Sequence, residues 1–256
     1  MELLTDIVPL HALIACLMVG LVAGVIKGMV GFAMPMIMIS GMGSFISPEL
    51  ALAGLILPTL ATNGWQALRQ GREAAWASAK KFRVFLIIGF FALVISAQLV
   101  RVLPAEVMLL IIGVPIVLFA VTQLMGMPLK LGANPPRWAE VAIAAFAGFI
   151  GGISGVWGPP TVAYLTALET PKQEHVRVQG VIYGLGAVAL FGAHIVSGVV
   201  RWETIPFAIA LLPTALLGMW IGFKVQDRID QVAFRRATLV VLLVAGANLI
   251  RRALMG

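Results

Sequence analysis

The amino-acid sequence predicts an all-α integral membrane protein of two inverted repeats, each with about four to five membrane segments that include one short broken or re-entrant helix. Three observations carry this expectation. The composition is too apolar for water, a glycine pattern repeats at a fixed separation, and positive charge collects in alternating loops. Hydrophobic residues are 61% of the chain and charged residues 11%, and mean hydropathy is +1.02. A soluble domain carries about a quarter charged residues, so this chain lacks the polar surface to stay in water. The apolar runs are continuous, as helices require, and do not alternate as barrel strands do. The chain has room for roughly ten spanning helices of about 20 residues and little else.

The segments are read in order as 7–28, a short piece 32–45, then 48–68, 82–100 and 105–125. A turn-rich linker follows, and the series resumes with 138–152, a short piece 157–168, then 176–196, 204–223 and 234–250. The expected division is a first repeat over 1–126, a linker over 127–137 and an inverted second repeat over 138–256. The acidic start, Glu2 and Asp6 without Lys or Arg, argues for a retained first span and against a cleaved signal. Gly24, Gly28 and Gly31 recur as Gly151, Gly155 and Gly158, each 127 positions later, and Gly71 recurs as Gly198 at the same separation.

Charge gives the sense of the repeat. Arg69, Arg72, Lys80, Lys81 and Arg83 follow the third piece of the first half, whereas the matching loop of the second half carries Arg201 alone. The next loop reverses this, with Arg101 alone against Lys224, Arg228, Arg235 and Arg236. Positive loops face the cytoplasm, so corresponding loops lie on opposite sides. The net charge of +7 therefore reports orientation and not nucleic acid. Cys16 is the only cysteine, which excludes an intrachain disulfide. No Cys/His cluster suggests a metal, and no cofactor is expected.

Glycines spaced by four serve close helix packing in membranes. Here each motif also precedes a short piece and carries proline, Pro35 in one half and Pro159–Pro160 in the other. Such breaks need a protein- or water-lined cavity. Lys27 lies inside the first motif, where it either snorkels to an interface or contacts an anion. Glycine-turn amides at Gly28, Gly31, Gly155 and Gly158 would favour the same anion. Ser154 holds the position equivalent to Lys27 and offers a hydroxyl donor. Asn63 lines the site or bridges helices. Trp157 walls the pocket or anchors at an interface, and His194 bonds a neighbouring helix or couples to protons. Arg177, placed with Lys172 and His175 in a loop, reaches an anion only if that loop dips inward.

The string Gly152-Ile153-Ser154-Gly155 with the distant His194 resembles rhomboid intramembrane serine proteases. This is the alternative reading, an acylating Ser154–His194 pair. It is disfavoured because the same glycines recur in the first half around Lys27, and the rhomboid His-rich loop is absent from the sequence.

Over nearly the whole chain, in GLVAGVIKGMVGFAMP, AGFIGGISGVWGPP and the endings Gly71…Trp76 and Gly198…Trp202, the sequence resembles the TauE/SafE sulfite exporter family. The resemblance implies a multi-pass protein of the bacterial inner membrane. It implies a non-enzymatic exporter of a small anion such as sulfite, sulfoacetate or a related organosulfonate. Members often have a richer glycine run than GMVGFAMP, which leaves the substrate open, as it leaves another anion or solute permease and a homo-oligomer open.

Overall fold

A computed structural model describes residues 8–97, 104–127, 130–132, 135–154, 158–196 and 201–255. Among them all regular structure is helical, in eleven helices. These are α1 (Leu10–Val30), α2 (Met34–Met42), α3 (Pro48–Leu68), α4 (Arg72–Lys81), α5 (Arg83–Ala97), α6 (Ala105–Leu124), α7 (Arg137–Ser154), α8 (Gly158–Ala167), α9 (Lys172–Val196), α10 (Ile205–Arg228) and α11 (Gln231–Met255). Three of them, α1, α10 and α11, are long and apolar enough to cross a membrane.

Two sequence expectations need correction. The charged stretch after α3, expected as a loop, forms α4. Its residues are strong helix formers, Glu73 sits in the first turn and Lys80 and Lys81 in the last, so both ends complement the helix dipole. The loop expected around Lys172, His175 and Arg177 is the first turns of α9, which starts four residues earlier than the apolar pattern indicates. Polar residues at a helix start carry no apolar signal, so periodicity underestimates the element there.

The chain forms two compact units, Met1–Ala75 with Gln179–Ile229 and Trp76–Val178 with Asp230–Gly256. In the first unit α1 lies along α10, and α2 and α3 complete the packing. The α1–α10 contact is a seam of small residues. A Cβ at Gly24 would meet the backbone of Ala215 and Met219, and one at Gly28 would meet Met219, Gly222 and Phe223. Gly218 and Gly222 press back on Leu21 and Val25. The paired numbers rise together, so the two helices run parallel. Close backbone approach of this kind is how membrane helices associate when lipid removes the hydrophobic drive between them. Cys16, Met34, Met38, Met42, Phe207 and Leu211 fill the space beside the seam. Ion pairs mark the two ends of α3 and α10: Arg201–Glu49 at 3.3 Å joins their starts and Arg69–Asp227 at 2.6 Å their ends.

In the second unit α5 packs on α7 and α6 on α11, with α8 against α6, α7 and α11. Gly148 meets the backbone of Gly89. Gly113 faces Gly246 and Ile250 while Gly246 reaches Val117, so α6 and α11 run antiparallel. Phe85 stacks on Tyr164 with centroids 5.3 Å apart.

Candidate functional site

The helix α1 ends at Gly31, whose φ of 91° is left-handed, and Ala33, at φ 73°, starts α2. Two left-handed residues within three positions break the chain between the long α1 and the short α2, and the non-glycine residue, Ala33, stores strain. Gly31 is the residue the break requires. A side chain at this position would strike the Gln179 amide, and the Gly31 carbonyl accepts a hydrogen bond from Gln66 Nε2 at 2.9 Å. The backbone group freed at the break is thus satisfied by protein, as a membrane interior demands.

Lys27 sits one turn before this break, where the helix C-terminal dipole favours a cation. It is only 2% exposed, so it does not snorkel to a surface. Its ammonium donates to Asn63 Oδ1, and Asn63 Nδ2 donates to the Tyr183 carbonyl at 3.1 Å. No described carboxylate forms an ion pair with Lys27. Burying an ammonium costs several kcal/mol even after relaxation. Neutral amides offset part of that cost and leave the charge itself unbalanced. Such an arrangement suits an anionic guest.

A polar face of α3 continues away from Lys27. Asn63 and Gln66 are buried, and Arg69 follows at the helix end, half-buried beneath Phe223 with its guanidinium 3.9 Å from the ring centroid. Arg69 also bonds Gln226 and Asp227. Residues three apart on a helix share a face, so the stripe leads from the buried ammonium to the charged end of the unit.

The structure therefore brings together Lys27, Asn63 and Gly31 among the residues singled out in the sequence. Gly28 faces α10 and serves the packing seam. Ser154 ends α7 in the second unit, and its side chain lies outside the described residues, as do Gly155 and Trp157. Gly158 starts α8. His194 lies in α9, and its side chain is likewise not described. Arg177 donates from Nε to the buried Ser78 hydroxyl at 2.8 Å within the second unit. Sequence reasoning missed Gln66 and Gln179. Both are amides in apolar spans, and Gln66 lies one turn beyond Asn63, which was the available signal.

Apolar helices of spanning length around a buried, uncompensated cation define a helical membrane protein. The family is specific: the model described as Sulfite exporter TauE/SafE matches residues 16–249, and the chain belongs to this family. Its members are multi-pass membrane transporters and not enzymes, and the family points to a small-anion exporter. Neither a curated protein nor a solved structure matches the chain. Nothing in these comparisons supports an intramembrane protease built on Ser154 and His194.

Proposed function

We propose that the chain exports a small sulfur-containing anion (sulfite, sulfoacetate or a related organosulfonate) across the bacterial inner membrane, by alternating access of two inverted repeats around Lys27. The observation that carries the reading is the buried Lys27 ammonium, held by Asn63 beside a helix break with no carboxylate partner among the described residues. A compact oxyanion supplies the missing charge, and the amide stripe of Asn63 and Gln66 gives it a polar route. Family membership supports the substrate class. Ser154 to Gly158, Arg177 and His194 stay candidate anion contacts on the sequence pattern alone.

Two features support inversion. The counterpart helices α6 and α11 are antiparallel, which parallel repeats would not produce. The first helix of each half also packs on the fourth span of the other half: α1 on α10, and α7 on α5.

Efflux from proteoliposomes loaded with radiolabelled sulfite tests the proposal. The substitution Lys27→Met keeps the length and apolar stem and removes the charge. Sulfite should raise the melting temperature of the parent protein, because a ligand that binds only the folded state stabilises it. The Lys27→Met protein should stay folded, lose the share of that protection owed to the Lys27 site and drop at least tenfold in apparent affinity there, about 1.4 kcal/mol. Unchanged efflux in Lys27→Met sinks the site, and protection by neutral or cationic solutes in place of sulfite and sulfoacetate sinks the substrate class.

A further inference from the structure

The second unit contains a polar pocket that the Lys27 site does not use. It has a volume of about 70 Å³ and lies where the end of α8 meets the first turns of α9 and α11. At the usual volume per water, about 30 Å³, it has room for about two water-sized groups. Two hydroxyls line it without a hydrogen-bond partner among the described residues, Thr166 Oγ1 and Thr238 Oγ1. Thr166 is 5% exposed and Thr238 is fully buried. A buried hydroxyl left unbonded costs about 1–3 kcal/mol, so two in one cavity imply something that bonds them.

The charge around the pocket indicates what that is. The helix α8 closes in a Schellman turn, with Thr170 N bonded to Leu165 O and Glu169 N to Thr166 O. Glycine is usual at the left-handed position of such a turn, yet here Glu169 occupies it at φ 52°. The strained backbone holds the Glu169 carboxylate against two cations, Lys130 at 2.8 Å and Arg235 at 3.5 Å. Two cations on one carboxylate leave one positive charge in excess. The helices α9 and α11 enter the pocket by their positive N-terminal ends, although the C-terminal end of α8 opposes them. Gln231 is committed elsewhere, accepting from Lys172 N at 2.9 Å and donating to Thr170 O at 3.1 Å. The unbonded hydroxyls facing the cavity are those of Thr166 and Thr238, beside His175 and Arg235.

We infer that this pocket is a second binding site for a small oxyanion, held by the hydroxyls of Thr166 and Thr238 and by the excess positive charge of the Lys130–Glu169–Arg235 cluster. The site is separate from Lys27 and stands on its own observations. An anion offers acceptors only, which is what two unbonded O–H groups require, and Arg235 disfavours a cation.

The test is equilibrium binding of radiolabelled sulfite to the purified full chain, with stoichiometry and melting temperature read together. The parent should bind two anions per chain. Thr166→Val and Thr238→Val keep the side-chain shape and should bind one, with a melting temperature without ligand equal to or above that of the parent. Thr238→Ser, which keeps the hydroxyl, should restore the second anion, and Lys27→Met should retain the pocket anion alone. One anion bound by the parent and lost only in Lys27→Met overturns this inference and leaves the Lys27 site standing. One anion lost only in the threonine variants does the reverse. A valine variant that melts below the parent also overturns it, because the hydroxyl would then have a structural partner.

Discussion

The two units bury polarity in opposite ways. The first holds a lysine ammonium deep in its interior, bonded to the neutral amide of Asn63, and packs α1 on α10 through a glycine seam. The second pairs charges near its surface, Lys81–Glu174 at 2.6 Å and the Lys130–Glu169–Arg235 cluster, all of them partly exposed. What it buries deeply is neutral, the hydroxyls of Thr166 and Thr238. A charge that is paired near water contributes little either way. A charge buried without a counter-ion opposes folding, and its retention points to a task. The contrast separates polar residues that shape the protein from one that the structure keeps at a cost.

The seam offers the strongest way to break this comparison. Gly24→Leu would drive a side chain into the α10 backbone, and Gly148→Leu would drive one into Gly89. Backbone cannot move aside as a side chain can, so each should cost about 3 kcal/mol or more and abolish a monodisperse peak in gel filtration. Gly192 faces open space, and Gly192→Ala should hold or raise the melting temperature, by up to about 1 kcal/mol of helix propensity. Normal folding of Gly24→Leu would show that the seam is not what holds the first unit.

A smaller effect should separate the two kinds of buried polarity. Asn63→Leu removes the acceptor that holds the Lys27 ammonium and should destabilise by about 1–3 kcal/mol. Adding Lys27→Met should recover part of that loss, since the unpaired charge is then gone, and thermal melts of the four proteins give the coupling. Simple additivity would mean that Asn63 does not offset the charge on Lys27.

The smallest effect is expected at the charged end of the second unit. The hydrogen bond from Lys130 is the main influence holding the Glu169 carboxyl below its ordinary value of 4.5; burial opposes it, and Coulombic attraction to Lys130 and then Arg235 adds to it. The folded-state pKa is depressed, so the ionised group stabilises the fold above the unfolded value, and the benefit fades as pH falls through the folded value. Melting temperature should therefore decline slightly below about pH 4.5, and Lys130→Ala should flatten the decline. An identical acid profile in Lys130→Ala would assign that decline to another carboxylate.

Much of the fold was legible because lipid imposes a simple rule. Each membrane segment must be a helix of continuous apolar residues, so hydropathy placed α3 and α6 almost to the residue. It failed at α4, where helix propensity and end charges act without apolar content. It failed again at the polar first turns of α9. Within the site, Lys27 stood out because a lysine in an apolar span is conspicuous. Its bond to Asn63 joins residues 36 apart, and no local pattern reports such a bond.

The sequence by itself determined the solvent of this protein, the helical class, the family and the lysine on which its proposed function turns, because composition and spacing are local properties of the chain. Tertiary structure alone decided which glycines pack, that Gly31 accommodates Gln179, and that Thr166 and Thr238 share one cavity. Those facts depend on which surfaces of distant helices meet. That choice is made by close backbone approach and by the pairing of buried polar groups across the fold.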